Sequence, residues 1–169
     1  MLKHPPVAEA LARTSRRRVA LVCGVDTYLH EQFNDLGCAV NDARSVAAVL
    51  NAHEFAPFDV AETLLDQEVT RAAVRRRLQT DLAQSIELYL LYFAGHGARS
   101  GDSGLLVTHD GQPYDEGVSF RDLASWIKGA LADQVVVIHN SIDYGSERSF
   151  DFLTYRDGRT LHTNLRSVV

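Results

Sequence analysis

IELYLLYFAG, Ile86 to Gly95, is the stretch on which the fold turns. Its apolar part, Ile86 to Ala94, is far too short to cross a bilayer, which takes about 20 residues as a helix. A near-continuous apolar run closed by glycine reads instead as a strand buried on both faces, the kind found inside parallel sheets. The chain then enters GHGARSGDSG, a polar, glycine-rich segment that reads as a loop.

Outward from this strand the same grammar repeats. RVALVCGVD (18–26) is a second buried strand, closed by Gly24 and Asp26, and VVVIH (135–139) is a third. FDVAETLL (58–65) is a weaker one. Between them, CAVNDARSVAAVLNA (38–52) sets Ala39, Ala43, Val46, Ala47 and Leu50 at helical spacing, with Asn41, Asp42 and Arg44 opposite. A helix from about Val69 to Ala83 turns Val74, Leu78 and Leu82 to one side. SFRDLASWIKGAL (119–131) opens with Ser119 three residues before Asp122, a capping-box variant ahead of Leu123, Trp126, Ile127 and Leu131. GLLVTHD (104–110) suits a short extended segment, and SFDFLTYRDGRTLHTNL (149–165) a hairpin turning at Asp157-Gly158.

Strands alternating with helices specify an α/β fold, a mostly parallel sheet with helices on both faces. Ligands of such sheets collect at the carboxyl ends of the strands. Two segments therefore matter most, Gly95 to Gly104 and Asn140 to Ser149. In the first, His96 stands between two glycines, which let the backbone approach a ligand and leave the Gly97 amide to face a substrate oxygen. A histidine so placed suits general-base work. A simple strand-end turn is the plainer alternative.

The chain has 169 residues, 46% of them apolar and 23% charged, which fits one soluble globular domain. A net charge of −5 argues against a broad nucleic-acid surface. The clusters Arg16-Arg17-Arg18 and Arg75-Arg76-Arg77 read as solvated faces. Lys3, His4, Pro5, Pro6 and Glu9 interrupt any signal-peptide pattern near Met1. Only two cysteines occur, Cys23 and Cys38, so a disulfide framework is not expected, and a cytoplasmic setting is. His96, His139 and Asp143 fit no standard ligand spacing; neither a metal nor a cofactor is expected. The expected layout is a tail over 1–17, a domain over 18–148 and a hairpin or tail over 149–169.

Taken together, four segments resemble the caspase-like peptidases of the C14 type, above all the metacaspase branch. RVALVCGVDTY resembles the family's first strand and its exit, LGCAVNDARSVAAVL its first helix, LLYFAGHG the strand bearing its catalytic histidine, and VVVIHNSIDYG the strand bearing its nucleophile. The resemblance implies a three-layer α/β/α sandwich, here only its large-subunit-like half. It implies that His96 is the general base and that Gly97 gives an oxyanion amide. Aligned on Gly145, Ile142 stands where the family has its catalytic cysteine, and Asn140 where it has aspartate. Asp42, Asn140, Ser141 and Asp143 fall at positions that resemble its substrate-binding residues.

An isoleucine cannot attack a carbonyl, and an amide cannot give the charge-assisted pairing that a buried arginine needs. The expectation is therefore a caspase-like pseudopeptidase that acts as an interaction or regulatory partner. Ser141 is a poor substitute nucleophile, because successive side chains leaving a strand point oppositely. The family domain continues with a smaller part that completes the sheet, so an open edge is expected to pair with another polypeptide, such as a caspase-like protease or that missing segment. No nucleic acid or membrane partner is expected. Two other readings stand beside this one: an active cysteine endopeptidase drawing on Cys23 or Cys38, and an α/β module binding a small ligand.

Overall fold

The computed structural model describes residues 17–52, 58–100, 103–143, 148–156 and 159–163. Strand β1 (Arg18–Gly24) is buried from Val19 onward. It lies between β2 (Val60–Leu65) and β3 (Ile86–Ser100), parallel to both, and β3 runs parallel to β6 (Ala132–Asp143). Beyond β6 come β7 (Arg148–Arg156) and β8 (Arg159–Thr163), each antiparallel to its neighbour, giving the order β2-β1-β3-β6-β7-β8. A ribbon of β4 (Ser103–Gln112) and β5 (Asp115–Ser119) branches from the far end of β3.

Strand parity sorts the core into two layers. Odd-numbered residues of the central strands, among them Leu21, Tyr89, Leu91, Phe93, Val135 and Val137, meet Val74, Leu78 and Leu82 of α2 (Arg71–Leu82) and Leu123 and Ile127 of α3 (Phe120–Ile127). Even-numbered ones, such as Val22, Leu90, Tyr92 and Ala94, meet Ala39, Ala43 and Ala47 of α1 (Ala39–Asn51). The result is the expected α/β/α sandwich. Small residues let α1 lie close to the sheet. A Cβ on Gly24 would stand 2.7 Å from the Ala39 carbonyl oxygen and from the Ala43 Cβ, so glycine is required there.

A side-chain oxygen accepts the first amides of each helix, and where the N-cap residue itself supplies it, as in α2 and α3, the cap is worth about 1 kcal/mol. The Asp26 carboxylate accepts the amides of Ala39 (2.8 Å) and Val40 (3.2 Å). The Thr70 hydroxyl accepts the Ala73 amide at 3.1 Å. Ser119 and Asp122 form the capping box legible in the sequence.

Three expectations need correction. The GHG segment and Asn140–Asp143 are strand, not loop, because β3 and β6 stay in register through His96↔Ile142 and Gly97↔Asp143. Their glycines and polar residues look like loop signals, yet their backbones remain paired. Second, α3 stops at Ile127 rather than continuing to Leu131, whose side chain is exposed. Third, β6 is not an open edge: β7 pairs along it from Gln134↔Arg156 to Ile142↔Arg148, and β8 follows. Residues 1–16, 144–147 and the turn expected at Asp157-Gly158 lie outside the described residues, while β7 and β8 close on Arg156↔Arg159. No helix among the described residues is long and apolar enough to cross a membrane.

Candidate functional site

His96 is an even-numbered β3 residue and so belongs to the α1 face of the sheet. The β1–α1 connection folds over it. That connection is pinned from several sides: Asp66 accepts the amides of Asp26 (2.8 Å) and Thr27 (3.1 Å), the Leu29 amide donates to the His109 carbonyl (3.0 Å), and the Asp35 carboxylate accepts the Tyr28 amide (3.1 Å). His109 Nδ1 lies 2.6 Å from the Thr27 carbonyl oxygen.

From this frame the Tyr28 hydroxyl accepts the His96 amide at 2.8 Å and donates to the Val25 carbonyl at 3.2 Å. Burial pushes the Tyr28 phenol up, so it stays a donor. A Cβ on Gly95 would lie 2.9 Å from the Phe93 ring and 3.0 Å from the Tyr28 hydroxyl, so the glycine makes room for this contact.

His96 is 5% exposed, with the Tyr28 ring centroid 4.9 Å from its own and that of Phe33 6.3 Å away. Its Nε2 lies 2.7 Å from the Asn34 carbonyl oxygen. A carbonyl only accepts, so Nε2 carries the hydrogen, and in the neutral ring Nδ1 is the basic nitrogen. The fold thus fixes both ring plane and tautomer. Sequence reasoning assigned no role to Tyr28, although it follows Asp26 by two residues in the quoted strand exit. Asn34 acts through its backbone, which leaves no side-chain signal to read.

The facing strand supplies the rest. Ile142 is the register partner of His96, Ser141 of Gly95 and Asn140 of Ala94. Asn140 Nδ2 donates to the Asp42 carboxylate at 3.3 Å. Burial raises the Tyr92 phenol, with the neighbouring Asn140 side chain opposing the shift. Asp42 and Asn140, paired from sequence resemblance alone, thus meet on the His96 face.

Ser141 does not join them. It is 1% exposed on the opposite face, with its Oγ 3.1 Å from His139 Nδ1, because a strand turns alternate side chains to opposite sides. Gly97 lies within the sheet, partnered by Leu106 of β4 and Asp143 of β6, where an open loop was expected. For Asp143 the backbone register alone is described.

Neither cysteine is near β6 in the pairing. Cys23 is fully buried in the α2/α3-side core, and burial pushes its thiol up to about 12. Cys38 is exposed at the start of α1. Among the described residues, no group of three or more His, Cys, Asp or Glu side chains could hold a metal ion.

The comparisons agree with this architecture. The crystal structure of protein GSU0716 from Geobacter sulfurreducens superposes with a TM-score of 0.63 at 19% identity, covering 77% of this chain and 52% of the other. The chain therefore spans about half the length of that structure, and the likeness is one of fold. No curated protein matches the sequence. The family model for the caspase domain of peptidase C14 matches residues 17–138, from the start of β1 to the residue before His139. That match takes in β1 through most of β6 and both helix layers. This chain belongs to the caspase-domain family.

Proposed function

We propose that this chain is a caspase-type pseudopeptidase, a cytoplasmic module that keeps the scaffold of a peptide site and acts by engaging another polypeptide. The observation that supports it is the register of β3 and β6, in which the histidine held ready as a base has an isoleucine as its strand partner. A base without a nucleophile leaves at most slow, water-mediated hydrolysis. Cys23 cannot substitute, since it lies in the core on the other face of β1 with its thiol pushed up to about 12. Asn140 in place of a carboxylate weakens the hold on a basic side chain as well, because its amide donates to Asp42 where a second carboxylate would add charge. The partner is another polypeptide, a caspase-like protease or the smaller part of such a domain.

An active reading would draw on Cys38, which is exposed at the start of α1, the helix that also carries Asp42. Hydrolysis of fluorogenic peptides with Arg, Lys or Asp at the cleavage position separates the two. The pseudopeptidase gives none above a buffer blank. Turnover abolished both by His96→Ala and by thiol alkylation would overturn it.

A further inference from the structure

The other side of the sheet carries a surface that the site around His96 does not use. While α2 buries Val74, Leu78 and Leu82, it leaves Ala72, Arg75, Arg76, Gln79 and Thr80 on its outer face. Their spacing is that of one helix side. Together with Arg71, Asp110 and Asp115 they line an open cleft of about 590 Å³.

The arginines there are not equivalent. Arg71 is committed to Asp115 (3.3 Å) and Asp122 (3.1 Å). Arg77, on the flank, pairs with Glu62 and Asp81. Arg75 lies 5.7 Å above the Trp126 ring, a stacking that occupies the face of the guanidinium and leaves its edge N–H groups to other acceptors. Arg76 is exposed and makes no ion pair among the described residues.

Tyr114 immediately precedes Asp115, one of the residues lining the cleft. It occupies a two-residue turn with Pro113 and is fully exposed at a φ of 70°, a left-handed conformation that favours glycine or asparagine. Tyrosine holds this position at a conformational cost, and sparsely populated backbone conformations gather at binding sites.

We propose that Arg75, Arg76 and Tyr114 form a docking surface for an acidic segment of another protein. Two guanidinium forks with open edges match carboxylates in pairs, and arginine and tyrosine are the residues on which interface affinity concentrates. Asp110 and Asp115 line the same cleft and would repel the evenly spaced charges of a nucleic-acid backbone, whereas a peptide can set its carboxylates opposite the two arginines alone. The surface belongs to the α2/α3 layer, so it is independent of whether the site around His96 cuts.

Titration of the full chain with a fluorescein-labelled hexaglutamate peptide, followed by anisotropy, tests this, with a single-stranded oligonucleotide run in parallel. Charge reversal by Arg75→Glu with Arg76→Glu is expected to weaken peptide binding about tenfold or more, and Tyr114→Gly several-fold. Tyr114→Gly relieves the backbone, so its effect is not a loss of folding. Arg44→Glu, exposed on α1 across the sheet, is expected to leave binding unchanged. Absence of peptide binding, or binding indifferent to the reversal, overturns the proposal. So does an oligonucleotide that binds more tightly than the peptide and is lost with the same substitutions.

Discussion

Two histidines lie within neighbouring strands of this sheet, and they have been put to different uses. His96 on β3 and His139 on β6 are almost equally buried, at 5% and 4% exposed. His96 meets the β1–α1 connection, where the Asn34 carbonyl and the Tyr28 hydroxyl fix it and where Asp42 and Asn140 stand nearby on the same face. His139 meets Ser141 at 3.1 Å and the Phe120 ring at 5.0 Å, on the face covered by α3. A histidine beside a serine looks on paper more like a catalytic pair than a histidine beside an isoleucine. Parity decides otherwise: the pair that looks chemical lies in the core, while the histidine whose strand partner is Ile142 lies on the face that carries Asp42 and Asn140.

The largest effect that sharpens this contrast should come from Tyr28→Phe. It leaves the His96 amide without its acceptor in a buried place, at a cost of about 2 kcal/mol. Urea denaturation reads the loss, and the NMR resonances of the His96 ring should move while those of His139 do not. A variant as stable as the parent would mean that Tyr28 does not hold His96.

Ser141→Ala is the mirror experiment, expected to cost about 1 kcal/mol because it removes the hydroxyl beside His139 Nδ1. Here the His139 resonances should move and those of His96 stay. Equal movement of both would break the separation into two faces.

A smaller effect, with a pH signature, belongs to the cap of α3. Burial pushes the Asp122 carboxyl up, but hydrogen bonds from Ser119 and the Arg71 guanidinium outweigh it and hold the group below the usual aspartate range. A lowered folded-state pKa contributes stability that is fully present above the ordinary aspartate value and is lost as pH falls toward the folded one. Ser119→Ala is therefore expected to cost about 1 kcal/mol at neutral pH, with the gap to the parent narrowing in acid. Asp81, raised by burial, acts with the opposite sign in both proteins and cancels in the difference. A gap that widens in acid would contradict the assignment.

The sequence disclosed much of this because its signals are local. Apolar runs marked β1, β3 and β6, helical spacing marked α1 and α2, and Ser119 with Asp122 marked the start of α3. The approach of Asp42 to Asn140, 98 residues apart, came from family resemblance, since no local pattern reports it. What stayed hidden was non-local or backbone-borne: the Asn34 carbonyl, the Tyr28 clamp, and the register that keeps Gly97 and Asn140 inside strands. Ser141 was misplaced among the substrate-facing residues because a loop reading ignores the two-residue alternation that a strand imposes.

The central claim is that His96 faces position 142. Ile142→Cys with and without His96→Ala tests it directly: iodoacetamide alkylation at residue 142, followed against pH by mass spectrometry, reports thiolate formation there. Cys23 is buried with its thiol pushed up to about 12 and stays silent, and Cys38 reports as the exposed reference within the same molecule. A thiol beside the His96 imidazole should alkylate faster near neutral pH than a free cysteine does, and His96→Ala should return its profile to that of a free thiol. Identical profiles in the two backgrounds would mean that His96 and position 142 do not face each other, and the reading of this site would be wrong.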